Sequence, residues 1–206
     1  MNQSFLIEEF IDSEINMLTE LRMGNGLDQD EYEKCIQAFK ELSKWWEKED
    51  SIPEEAVLTI MEIFAELYLF SDNYKGQEKE RIIEAAEQFK MVREQFLSSE
   101  GILESEQDKL IRNLVKAIDE NNGFFVQLEQ GKGIDEEQFE KIFLELKRVV
   151  SEISSWEKIP KLVVTLLTSF YEMILYFKKY KYEFNMLVEA DKIYDAYERV
   201  FAQIAG

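Results

Sequence analysis

Ile159–Phe177, IPKLVVTLLTSFYEMILYF, decides the fold. It opens on an isoleucine–proline pair and is apolar almost all the way round. A helix that is apolar on every side belongs in a core or a membrane. The uninterrupted part, residues 162–177, is shorter than the ~20 residues a bilayer demands, and it carries Glu172 and several hydroxyl side chains. It reads as the buried central helix of a folded body, and no membrane span is expected.

A second stretch has the same design. Ile52–Phe70, IPEEAVLTIMEIFAELYLF, opens on the same pair and closes on the same residue type. The two stand 107 positions apart, and that offset holds over much of the chain. It aligns Ile11 with Ile118, Asp12 with Asp119, Leu21 with Leu128, Gly24 with Gly131, Gly26 with Gly133, Asp28 with Asp135, Glu33-Lys34 with Glu140-Lys141, and Lys40 with Lys147. Scattered identities arise by chance, but matched stop glycines, caps and prolines at one offset indicate a duplication. A short deletion is expected in the second copy before its last helix.

Working outward, residues 4–23 have helical spacing, with Ser4 as cap and Gly24-Asn25-Gly26 as stop. Asp28 caps the next helix, whose acidic first turn suits the macrodipole. Its apolar stripe is Tyr32, Cys35, Ile36, Phe39, Leu42 and Trp46. Ser51 and Glu54 have capping-box spacing, and Pro53 fits a first turn that needs no backbone donor. Residues 71–76 read as a loop, 77–97 as a fourth helix, and Ser98–Gly101 as a linker. In the second half, residues 104–130 read as a helix interrupted at Asn121-Asn122-Gly123. Gly131-Lys132-Gly133 stops it, and Asp135 caps a helix to about Ser155. Pro160 opens the central helix, and 184–204 form the last. No strand is expected. The expected fold is all-α: two tandem antiparallel four-helix repeats, 1–101 and 102–206, about eight helices packed into one helical body.

The central helices differ in polarity. Glu55, Glu62 and Glu66 align with Leu162, Ser169 and Met173, so the first keeps a polar face that the second has lost. The extra apolar surface of the second is expected to pack against the first copy.

Composition narrows the chemistry. The 206 residues are 46% hydrophobic and 13% aromatic, with a formal net charge of −19 and no histidine. A surface of that sign does not grip phosphates or anionic lipid, so direct nucleic-acid binding is not expected. Without histidine there is no ordinary general base near neutral pH. Cys35 is the single cysteine, which fits a reducing, cytoplasmic setting, and it reads as a small core residue rather than a nucleophile. The N-terminus MNQSFLIEEF lacks the pattern of a signal peptide. GNGLDQDEY and GKGIDEEQF look like the back half of a calcium loop, but the oxygen ligands required upstream of the glycine are missing and Gln138 stands where the second copy needs a glutamate. Glu80, Glu84 and Glu87 lie on an outward face. No catalytic residue, metal ligand or cofactor is assigned.

One surface feature stands out. Trp45 aligns with Glu152 and Trp46 with Ile153, so Trp45 is expected outside and Trp46 inside. Packing of Trp45 on the neighbouring copy or the linker is the competing reading. Exposed, Trp45 would sit among Glu47, Glu49, Asp50, Glu54 and Glu55, as a binding hot spot ringed by charge. Residues 1–101 hold 24 acidic and 10 basic side chains and are the more acidic half. The expectation is a non-enzymatic protein that binds a basic protein partner through this surface, in concrete form an immunity or inhibitor protein that neutralises a toxin. The alternatives are a helical metal-dependent hydrolase with Asp/Glu ligands and a carboxylate-row mimic of DNA. A homodimer is compatible with the same residues.

Overall fold

The structure is a computed structural model that describes residues 2–97, 107–120, 123–153 and 155–205. The Ser98–Gly101 linker and the Asn121-Asn122 interruption lie outside the described residues. The fold is all-α, with a single minimal ladder of two strands among the described residues. The chain divides into two compact units. The first is Met1–Gly101 with Glu157–Thr165, and the second is Ile102–Trp156 with Leu166–Gly206. The sequence boundary at 101/102 assigns Glu157–Thr165 to the second half, so the structural division differs there.

In the first unit, α1 spans Gln3–Arg22, α2 Gln29–Trp46, β1 Ser51–Pro53, α3 Glu54–Phe70 and α4 Gly76–Leu97. The cap of α1 is Asn2 rather than Ser4: the Asn2 amide oxygen accepts the Ser4 N–H at 3.3 Å. Asp28 caps α2 as expected, accepting the amides of Asp30 and Glu31 at 3.1 Å each. Between these helices Gly24 and Gly26 hold φ near +86° and +90°, a region other residues enter only at a cost. Helix α1 packs on α2 and α3, and α3 packs on α4. The core is an aromatic column. Phe39 stacks on Phe10 at 5.4 Å and on Phe89 at 5.2 Å, and meets Phe96 edge-on at 5.7 Å. Burying each such ring contributes roughly 1.5–3 kcal/mol.

The capping box expected at Ser51–Glu54 does not form. Ser51–Pro53 instead pairs antiparallel with β2, Lys158–Pro160, in the register Ser51↔Pro160, Ile52↔Ile159 and Pro53↔Lys158. A residue before proline is pushed towards extended backbone, and proline tolerates a sheet edge. Both isoleucine–proline pairs therefore supply strand rather than the first helical turn. Ile52 and Ile159 face each other, fully buried.

In the second unit, α5 spans Gln107–Asp119, α6 Phe124–Glu129 and α7 Glu136–Ile153. Asp135 caps α7 by accepting the Gln138 amide at 3.0 Å. The central stretch forms α8, Lys161–Tyr171, and α9, Met173–Lys178, followed by a wide π-helical turn over Lys179–Glu183. Helix α10 spans Leu187–Ala205 and starts three residues later than the spacing predicts. Phe139 stacks on Phe124 and Phe143 at 6.0 and 5.8 Å, and Phe177 tilts onto Tyr194 at 5.0 Å.

Candidate protein-binding surface

The site begins where α2 ends. Trp45 and Trp46 occupy neighbouring helical positions and so point about 100° apart. Trp46 turns inward, 2% exposed, with its ring 6.0 Å from Phe96. Trp45 turns outward and is 55% exposed. The Glu49 amide then donates to the Trp46 carbonyl at 3.0 Å, closing a turn that leads into β1.

This turn is held from below by a buried lysine. The Lys161 amide donates to the Asp50 carbonyl at 2.9 Å, and its ammonium donates to the Glu47 carbonyl at 3.5 Å. The same ammonium stands 4.6 Å over the Phe96 ring. Burial lowers the Lys161 pKa from its ordinary value, while Asp50, Glu47 and Glu49 pull it back up. Lys158, one strand away, reaches Glu49 at 3.5 Å.

All six residues singled out in the sequence lie on the surface: Trp45, Glu47, Glu49, Asp50, Glu54 and Glu55 are exposed. The turn and the first turn of α3 bring the five carboxylates onto one stretch of chain, 47–55. Glu54 and Glu55 head α3, where the helix dipole favours negative charge. One turn on, Leu58 is 37% exposed and adds apolar area. A groove between α2 and α4, about 630 Å³, runs up to Glu47 and is lined by Lys40, Lys44, Val92 and Phe96.

The arrangement has the parts of a recognition surface: one large aromatic, a shallow groove and carboxylates on a pinned turn. Cys35 is buried, and desolvation, with Glu14 and Glu31 nearby, pushes its thiol well above the usual range. Among the described residues, no three or more carboxylates or cysteines gather as metal ligands.

Two features escaped the sequence reading. Lys158 and Lys161 support the turn from more than a hundred residues away, and the paired isoleucine–proline dipeptides were the available signal. The second is a carboxylate cluster inside the first unit. Glu66 is buried and pairs with Arg22 at 2.9 Å, so the polar face expected on α3 is partly a buried one. Glu14 is 6% exposed, and its carboxyl is pushed up to about 7 by burial, then by Glu62 and Glu66, against the pull of Arg22. Glu62 is likewise raised to about 7 by desolvation and by Glu66. Glu14 follows Phe10 by four and precedes Leu18 by four, so its place on the buried stripe was legible.

No family model, curated protein or solved structure matches the chain. The fold defines an all-α protein.

Proposed function

We propose that the chain is a non-enzymatic, cytoplasmic binding protein that captures a basic protein partner on the acidic edge formed by Trp45, Glu47, Glu49, Asp50, Glu54 and Glu55. In its concrete form it is an inhibitor of the immunity type, which silences a toxin by covering it. The observation that carries the reading is Trp45, 55% exposed beside carboxylates whose turn is fixed by Lys161. A tryptophan that meets a partner in a desolvated contact is a common hot spot. The surrounding carboxylates would speed the encounter with a lysine- and arginine-rich surface and keep other partners off.

The test is parallel capture from the native host with the intact protein and with a Trp45→Ala, Glu49→Lys, Asp50→Lys triple variant. The partner should be retained by the first and lost by the second. Affinity should fall by at least about 30-fold for Trp45→Ala alone, the ~2 kcal/mol of a hot spot. Association should slow as salt is raised. Unchanged affinity in the triple variant would rule out this edge.

A further inference from the structure

The two glycine turns are locked by the same atoms. In the first unit, the Tyr74 hydroxyl donates to the Leu21 carbonyl at 2.7 Å and accepts the Gly26 amide at 3.1 Å. In the second, the Tyr180 hydroxyl donates to the Leu128 carbonyl at 2.9 Å and accepts the Gly133 amide at 2.8 Å. A carboxylate also closes on each second glycine: a Cβ would lie 2.6 Å from a Glu78 oxygen at Gly26 and 2.7 Å from a Glu189 oxygen at Gly133.

With the locks as fixed points, Glu78 follows Tyr74 by four residues, whereas Glu189 follows Tyr180 by nine. The second segment is thus longer by five, not shorter. From there the offset becomes 111, which aligns the buried Ile82 with Ile193 and Ala85 with Ala196.

The added residues make a surface feature that the first unit lacks. Tyr182–Val188 are exposed at every position. Five of the seven are large and apolar: Tyr182 60%, Phe184 37%, Met186 37%, Leu187 55% and Val188 70% exposed. Singly exposed apolar residues are ordinary, but a contiguous run marks a contact site. The run is also held in shape. Phe184 packs on Tyr180 at 5.3 Å, and its ring lies where a Cβ on Gly131 would meet it at 3.1 Å. The Met186 amide donates to the Tyr180 carbonyl at 2.9 Å, and Asn185 takes φ +54° to turn the chain into α10.

The charges on this tip select its occupant. Lys181 stands over the rings of Phe177 and Tyr182 at 5.2 Å each. Glu183 is exposed two residues on. Among the described residues neither has an ion-pair partner. Lys179 stands over the Phe184 ring at 5.4 Å but donates to the Glu129 carbonyl at 3.3 Å, which leaves Lys181 and Glu183 to face a partner. An apolar surface presenting such a cation and anion is complementary to itself about a two-fold axis, where each residue meets its opposite on the other copy. We propose that the tip Tyr182–Val188 is a docking surface for a second copy of this chain, tip against tip, with Lys181 of each copy facing Glu183 of the other. A lipid surface fits less well, because Glu183 sits inside the apolar run.

The proposal uses no residue of the acidic edge, so failure of one reading leaves the other standing. The test is sedimentation velocity on the full chain from micromolar to sub-millimolar concentration. Wild type should form a dimer. Leu187→Asp with Val188→Asp should weaken it by more than tenfold. Lys181→Glu and Glu183→Lys should each weaken it, whereas an equimolar mixture of these two variants, or both changes in one chain, should restore it. Glu183, Leu187 and Val188 are exposed and Lys181 is half-buried, and unchanged thermal midpoints of the monomers would exclude misfolding. Wild type that stays monomeric throughout, charge variants that dimerise as well as wild type, or a mixture that fails to restore association would each overturn the proposal. Monomeric wild type that binds phosphatidylcholine–phosphatidylserine vesicles would also overturn it, by assigning the tip to a bilayer.

Discussion

The adjacent tryptophans show what a single position decides. Trp46 fills the core against Phe96, and Trp45, one residue earlier, faces solvent. Trp46→Ala should destabilise the fold by about 3–5 kcal/mol. Trp45→Ala should leave stability within about 0.5 kcal/mol, so chemical denaturation of the two variants separates a packing residue from a surface residue. Glu14 and Glu62 make the other residue-scale case. Both carboxyls sit near 7 in the native state, above their ordinary value of 4.5. The native state therefore holds protons that the unfolded chain has released between those values. Their stabilising contribution is complete at and below pH 4.5 and is lost as pH rises through 7. The denaturation midpoint should fall between pH 5 and 8, and Glu14→Gln should flatten that slope and stabilise the protein at pH 8 by about 2 kcal/mol. A slope of the same steepness in the variant would remove Glu14 from the account.

At the scale of elements, the glycine turns and aspartate caps were readable because each residue has one local job: positive φ at Gly24, Gly26, Gly131 and Gly133, and first-turn capping by Asp28 and Asp135. Gly26→Ala and Gly133→Ala should each cost more than about 1 kcal/mol, through backbone strain and displacement of Glu78 or Glu189. Thermal melts check this. Equal midpoints would mean that the carboxylates move aside freely. The strands were not readable. Ser51-Ile52-Pro53-Glu54 satisfies a capping box and a strand before proline equally well, and a partner more than a hundred residues away decides between them. The apolar tip was missed for a related reason. The 107-residue offset stops helping after Phe70 and Phe177, and only the Tyr74 and Tyr180 hydroxyls reveal where the two segments come back into step.

At the scale of the molecule, net charge sets the sign of every long-range interaction. With −19 on each chain, capture of a basic protein should weaken as salt rises. No helix among the described residues is long and apolar enough to cross a membrane. A divalent metal bound to the native state would raise the melting midpoint, by about 2.7 kcal/mol of stability at a hundredfold excess over its dissociation constant. Melts with magnesium and with manganese should show no such rise, and a clear rise would revive the metal-dependent hydrolase.

The β1–β2 ladder has one more consequence, and it concerns the order of synthesis. Ile52 is covered by Ile159, and the turn at Asp50 is tied by Lys161. A ribosome that has made residues 1–101 has therefore not yet made everything the first unit contains. At ~5–20 residues per second, several seconds pass before Thr165 is added. Until then the edge of β1 and the buried face of Ile52 stand open to other chains.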